Sequence, residues 1–282
     1  MTPQDALLGW DEDANAQAYE AFTRAHSMYD TTSSDLARRA GLDDARLVVD
    51  LCGGAGATAR AILDRLPADA RLLSVDNAAA MQRVGQRTLS DPRLSWITAP
   101  AEHLAAHARA GTVDAVLCNS AIWKTQTLAV FGAVARLLRP GGLFAFNIGG
   151  GFAGVRHPDE HSVRTGPSLS RLIHQVAARD YGYTPLSTTP AAPKMPLETV
   201  TAQLAAAGLT VVDSEVTAQH STMAEKKAWL SIPVFARPTD GGFTHAQRMD
   251  ILEAAYALTT PDKPTVTSWL VVVAQRRPTD AP

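Results

Sequence analysis

From residue 46 to residue 148 the chain alternates between short continuous apolar runs and stretches of helical character. Strands are expected at 46–52, 71–76, 94–98, 113–119 and 143–148, with helices at 56–66, 78–89, 102–109 and 124–138 between them. Strands that are apolar throughout are buried on both faces, the mark of a parallel sheet. Strand and helix taken in turn build right-handed βαβ units, which puts the chain in the α/β class. The first run, Val48-Val49-Asp50-Leu51, passes directly into Cys52-Gly53-Gly54-Ala55-Gly56 and then a helix. A glycine-rich turn of this kind lets backbone approach a ligand closely and aims helix N–H groups at it.

Gly54, Gly56 and Ala59 keep the spacing of a dinucleotide fingerprint, and Asp76 closes the second strand where an acid would hold ribose hydroxyls. These residues imply an adenosine cofactor, and by themselves they leave a nicotinamide dinucleotide and S-adenosylmethionine both open. The net charge of −2 supplies no basic footprint for nucleic acid. No apolar stretch has the length of a membrane span, and the first residues lack a signal-peptide pattern, so a cytoplasmic location is expected. Two cysteines, Cys52 and Cys118, give neither a disulfide framework nor zinc-ligand spacing and read as core residues at strand ends. No metal site is expected.

Four segments, taken in order, carry a resemblance. They are Val49-Asp50-Leu51-Cys52-Gly53-Gly54-Ala55-Gly56, Leu73-Ser74-Val75-Asp76-Asn77, Asp114-Ala115-Val116-Leu117-Cys118-Asn119-Ser120, and Leu137-Leu138-Arg139-Pro140-Gly141-Gly142-Leu143-Phe144. Over residues 45–148 the chain resembles the class I S-adenosylmethionine-dependent methyltransferases. That resemblance implies a Rossmann-like seven-stranded sheet in the order 3-2-1-4-5-7-6, with strand 7 antiparallel. Strands read at 209–219 and 265–275, an antiparallel pair at the sheet edge, fit that ending. It also implies that Gly53, Gly54 and Gly56 pass the methionine moiety, that Asp50 fixes their turn and that Asp76 accepts both ribose hydroxyls. Asn77 and Met81 would border the adenosine, and Asn119 and Ser120 would lie beneath the cofactor. Pro100 stands where the family often has an Asp on the adenine amino group, which leaves that contact to the Ala101 backbone or to Glu102.

The remaining chain reads as additions to that core. Residues 1–45 form an N-terminal helical cap: a helix over 14–40 broken at Asp30-Thr31-Thr32-Ser33-Ser34. Residues 46–282 form the methyltransferase domain, with insertions at about 149–195 and 220–262 that fold over the strand ends as a lid. The first insertion carries a helix at 168–179 and a Pro/Thr-rich loop at 184–196, and a helix at 197–207 follows it. The second carries helices at 222–231 and 244–257. Tyr19, Tyr29, Trp123 and Trp229 are the candidate walls of an acceptor pocket. Lys124 reads as a solvated residue at the start of a helix. Candidate bases are His220, at the end of strand 6, and His157 and His161, in the polar run Arg156-His157-Pro158-Asp159-Glu160-His161. Arg156, Arg164 and Arg171 are candidate partners for an anionic acceptor.

The expected function is methyl transfer to an O-, C- or N-nucleophile of a small organic molecule, plausibly in specialised metabolism. Two alternatives retain the fold: a non-methylating enzyme that binds the same cofactor, such as a cyclase, and a non-catalytic binding protein. The oligomeric state is left open.

Overall fold

A computed structural model describes residues 9–163, 166–185 and 194–277. Two helices come first, α1 (Asp13–Ala25) and α2 (Met28–Ala40). The alternating region follows as β1 (Leu47–Leu51), α3 (Ala57–Leu63), β2 (Arg71–Asp76), α4 (Ala79–Thr88) and β3 (Leu94–Thr98). It continues through a 3-10 turn at Ala101–Ala106, β4 (Val113–Cys118), a second 3-10 turn at Ile122–Lys124, α5 (Thr127–Leu137) and β5 (Leu138–Gly149). Next come α6 (Gly150–Ala153), α7 (Pro158–Ser162), α8 (Leu169–Tyr181), α9 (Leu197–Ala206) and β6 (Leu209–Thr222). Finally α10 (Met223–Leu230), a 3-10 turn at Pro233–Phe235 and α11 (His245–Tyr256) lead into β7 (Pro264–Arg276).

All seven strands join one sheet in the order β3-β2-β1-β4-β5-β7-β6. Strands β1 to β5 pair in parallel, and β7 runs antiparallel to both β5 and β6. This is the order and sense that the family resemblance implies. Successive strand residues face opposite sides of a sheet, and the two cores follow that alternation. Val49 and Leu51, Val116 and Cys118, and Phe144 and Phe146 point to one side, where they meet Phe131, Leu137 and Leu204. Val48, Ala115, Leu117 and Ala145 point to the other, against Leu36 and Ala37 of α2 and Ile62 and Leu63 of α3. Both faces are dry along β1 and β4, whose residues read as near-continuous apolar runs, while β3 at the edge is only partly buried.

The expected break at 30–34 is absent: those residues lie inside α2, and the chain bends earlier, at His26-Ser27. Hydroxyl-rich stretches break helices when their side chains compete for backbone groups. Here their bonds are compatible with the helix. Thr32 donates back to the Met28 carbonyl at 3.1 Å, and Ser33, fully buried, is 3.0 Å from the Thr58 hydroxyl. Residues 124–126 precede α5 instead of belonging to it, so Lys124 is not a surface helix residue. Of the loop expected at 184–196, positions 186–193 lie outside the described residues. The segments between β5 and β6 and between β6 and β7 pack on one another: Leu172, Ile173 and Val176 of α8 share a buried cluster with Ile251, Leu252 and Ala255 of α11. Among the described residues no helix is long and apolar enough to cross a membrane.

Trp96 of β3 locks the edge of this arrangement. Its ring fills a notch between Gly56, which begins α3, and Gly85 of α4. A Cβ at Gly85 would stand 2.4 Å from the ring, and one at Gly56 2.8 Å from it. Gly85→Ala is therefore expected to cost about 1–3 kcal/mol by overpacking, seen as a lowered melting temperature. Gly132→Ala, in α5 with nothing within 4 Å of the new methyl, is expected to leave the melting temperature unchanged or raise it, through helix propensity. Equal melting shifts for the two variants would refute the notch.

Candidate active site

The carboxyl ends of the parallel strands open into one cavity of about 1130 Å³. Ligands of open α/β sheets bind at this edge, and a single small-molecule site usually measures about 300–1,000 Å³. The cavity is large enough for a cofactor and an acceptor together.

Its floor is built from the ends of β1, β2 and β4. After β1, Cys52 and Gly54 both adopt positive φ, +57° and +55°. The turn is tied to β2 twice: the Gly53 N–H donates to the Val75 carbonyl at 3.2 Å and the Gly54 N–H to Asp76 Oδ2 at 2.9 Å. Asp76 Oδ1 accepts from the Ala78 N–H at 2.8 Å. Gly53 has no room for a side chain, because a Cβ would lie 2.4 Å from both Asp50 Oδ2 and the Ser74 hydroxyl. Beneath the turn Asp50 is fully buried, and its Oδ1 has no hydrogen-bond partner. Burial, reinforced by the charge of Asp76, pushes the Asp50 carboxyl up to about 7. Burial also raises Asp76, against the N–H groups it accepts.

After β4 the side chains interlock. Asn119 donates to the hydroxyls of Ser33 and Thr32 at 2.8 and 3.0 Å and accepts from Asn147 at 2.9 Å. Asn147 in turn accepts from the Ser120 N–H at 2.6 Å, which holds Ser120 at a φ of +57°. Asn77, Met81, Ala101 and Glu102 line the adjoining wall. Glu102 accepts the Gln126 N–H at 2.8 Å, so that oxygen is engaged within the protein.

The roof comes from the N-terminal helices and from the segment between β6 and β7. Tyr19 and Tyr29 pack at 4.9 Å between ring centroids, and the Trp229 indole N–H donates to the Tyr29 hydroxyl at 3.4 Å. Burial raises both phenols, Tyr29 to about 12, so both stay protonated at neutral pH. Trp229 stacks on Phe235 at 4.0 Å, and Trp123 on Phe152 at 3.8 Å. All four rings border the cavity.

The structure thus gathers at one cavity Gly53, Gly54, Asp76, Asn77, Met81, Ala101, Glu102, Asn119, Ser120, Tyr19, Tyr29, Trp123 and Trp229. Asp50 and Gly56 lie behind its surface, as supports of the turn. The three histidines fall elsewhere. His220 is an exposed residue of β6 whose Nε2 is 3.0 Å from Asp159, His157 caps α7 by accepting the Asp159 N–H, and His161 is exposed on α7. None lines the cavity, so the positions expected of a base are not met. Among the described arginines of the expected anion set, Arg156 is exposed beside Glu160 and Arg171 is exposed on α8, both away from the cavity; Arg164 lies outside the described residues.

Several residues lining the cavity escaped the sequence reading: Cys52, Lys124, Lys226, Arg237, His245 and Arg248. Burial pushes Lys124 down to about 8 against the pull of Asp76, and its Nζ lies 4.2 Å from the Trp10 ring centroid. Lys124 directly follows Trp123, the one available signal that it faces the site. Cys52 reads as a core residue, and Lys226, Arg237, His245 and Arg248 sit in a segment whose pattern shows no periodic face.

The floor suits S-adenosylmethionine on its own chemistry. It combines a backbone-only turn, an acid at the end of β2, an apolar wall at Met81 and a buried carboxylate with an unused oxygen, a set that favours a cationic ligand.

Comparison with known proteins agrees with this geometry. A family model described as a methyltransferase domain matches residues 48–142. A trans-aconitate 2-methyltransferase from Azoarcus sp. (strain BH72) is 32% identical over 169 residues, 58% of this chain. The match spans 59% of that relative's length. Among solved structures, the Bacillus subtilis YcgJ protein aligns with TM-score 0.55 at 14% identity, over 89% of this chain and all of its own. The [4+2]-cyclase SpnF aligns with TM-score 0.53 at 14% identity, over 89% of this chain and 81% of its own. At such identities the two structures speak for the fold alone. Sheet order, glycine turn and family match together support a class I S-adenosylmethionine-dependent methyltransferase domain over residues 48–142.

Proposed function

We propose that this protein transfers the methyl group of S-adenosylmethionine to a small organic acceptor enclosed in the cavity. The observation that carries this reading is the convergence of the Gly53-Gly54 turn, Asp76 and an aromatic roof on one space large enough for two ligands. When bound, the cofactor supplies an electrophilic methyl on a sulfonium. Asp76 would hold the ribose, Met81 and Ala101 would border the adenine, and Asn119 and Ser120 would contribute to the cofactor's floor. Trp229, Phe235 and Tyr29 cover the acceptor and exclude water, and Trp123 walls it from the side. Positioning two reactants in a water-poor site supplies much of the acceleration such a displacement needs. The two phenols, held neutral, act as walls and hydrogen-bond donors and not as bases.

Asp50 serves this chemistry electrostatically. Its ionised form is costly in the ligand-free protein and gains from a cation bound above the turn. The test is acceptor-dependent formation of S-adenosylhomocysteine, with trans-aconitate, the acceptor named for the relative, as the first compound tried. Turnover supports the reading. Tight cofactor binding without turnover on any acceptor transfers support to a non-methylating enzyme, and absence of cofactor binding overturns both.

Asp76→Asn keeps an oxygen for one backbone N–H and removes the charge and the two-oxygen grip. It is expected to weaken S-adenosylhomocysteine binding at least tenfold in calorimetry while the far-ultraviolet spectrum is retained; unchanged affinity would exclude the ribose role.

Asp50 gives a pH prediction. The carboxyl titrates near about 4 in the unfolded chain and at about 7 when folded. Between those values the folded state binds the extra proton, so this group's contribution to stability falls as pH rises from about 4 to 7. Asp50→Asn is expected to melt above the unmodified protein at pH 7.5, with the gap closing toward pH 4. A gap independent of pH would remove the buried charge as its cause.

A further inference from the structure

The roof carries three cations from three elements: Lys226 of α10, Arg237 just past the 3-10 turn, and Arg248 of α11. All three line the cavity. Among the described residues none of them forms a salt bridge. The charges acting on them are largely one another's: burial and then Arg237 lower Lys226, and burial and then Arg248 lower Arg237. Arg248 Nε is buried without a hydrogen-bond partner. Two acids are close by, and both are engaged: Asp240 accepts from the Tyr183 hydroxyl at 2.6 Å, and Glu160, which steadies Lys226 at longer range, accepts from Ser268 at 2.7 Å.

Elsewhere this chain supplies its half-buried guanidiniums with counterions. Arg39 meets Asp35, Asp213 and Glu215; Arg60 meets Glu20; Arg93 meets Asp91. Crowding like charges away from water without partners is costly, and the cost is recovered when an anion enters. Guanidiniums in particular match the planar, two-oxygen edge of a carboxylate or phosphate. Beside the cations stand the stacked faces of Trp229 and Phe235, with Lys226 Nζ 4.6 Å from the Trp229 ring centroid. A charged recess next to an aromatic face selects a small molecule with an anionic end and an apolar or unsaturated body.

We propose that Lys226, Arg237 and Arg248 form an anion subsite that selects the acceptor as an organic carboxylate or phosphate ester packed against Trp229 and Phe235. This assignment rests on the reading of the cavity as a methyl-acceptor site, and it places the acceptor's anion at the roof, opposite the cofactor turn.

The experiment is calorimetry on the full chain saturated with S-adenosylhomocysteine. The carboxylate probes are tricarballylate and cinnamate, each against its amide; the phosphate probe is phenyl phosphate, against phenol. The expected result is that at least one anion binds ten times or more tighter than its neutral counterpart. Binding should weaken as salt is raised. Arg248→Gln and Lys226→Met should each reduce anion affinity at least tenfold, with S-adenosylhomocysteine affinity changed less than twofold. The class of anion that binds identifies carboxylate or phosphate as the recognised group. Equal binding of charged and neutral probes in the unmodified protein overturns the proposal without any variant, as does full anion affinity in both variants. Normal S-adenosylhomocysteine binding with no preference for anions removes the subsite alone. Preference for anions without cofactor binding removes the methyl-transfer reading and leaves the subsite.

Discussion

The architecture of the site depends on how tightly the turn after β1 is fastened to β2. Gly53 donates to the last apolar residue of β2, and Gly54 donates to the carboxylate that follows it. Gly53 can sit there only because it has no side chain, with Asp50 and Ser74 packed where a Cβ would be. The turn exposes its backbone to the cavity because it is filled from behind. Asp76 therefore has two duties: it fixes the turn, and it presents a carboxylate at the mouth of the sheet. Substitution that removes both oxygens would lose both of these hydrogen bonds, whereas Asn at this position retains one acceptor.

The second organising element is a polar chain that joins roof to floor. Asn147 orients Asn119 and Ser120, and Asn119 reaches Thr32 and Ser33 on α2. From the start of α2, the Met28 carbonyl accepts from Gln219 of β6, whose Oε1 accepts from the indole of Trp269 on β7. Met28 and Trp269 both face the cavity. Buried polar groups are satisfied all along this path, which fixes relative position as well as stability. The N-terminal helices thus belong mechanically to the site: α2 covers one face of the sheet through Leu36 and Ala37, and its polar edge braces the floor.

What the sequence made legible follows from the same physics. The central parallel strands are dry on both faces, and β2 and β3 are readable to the residue and β1 and β4 nearly so, whereas β5 begins at Leu138, five residues before the expected 143, where a turn is expected. The floor is local in sequence: each strand end carries its own functional residue, and Asp76, Asn119 and the glycines are found by position alone. The roof is not local. Arg237 and Arg248 lie on a turn and on a helix without a pronounced apolar face, and such arginines look like surface residues until the fold turns them inward. Histidine invited the opposite error. His220 is expected at the end of its strand, but β6 pairs on to Thr222, and as a sheet-edge residue His220 meets Asp159 and not the cavity. The hydroxyl run 31–34 was misread because its partners, Asn119 and Thr58, are far away in the chain.

The cavity's charges are unevenly placed. Asp76 is accompanied by Lys124 near the cofactor turn, whereas Lys226, Arg237 and Arg248 gather at the roof. Low-dielectric walls strengthen the field of such groups. Under the proposed reading, a cationic cofactor would be drawn to Asp76 and an anionic acceptor to the roof cations. Under that reading the roof cations would bias which end of the cavity an anion enters. A bias of this kind needs rigid walls. The roof obtains its rigidity from outside the site, where α11 is backed by α8 through Leu172, Ile173, Ile251 and Leu252. The segment between β5 and β6 thus buttresses the segment that carries Lys226, Arg237 and Arg248.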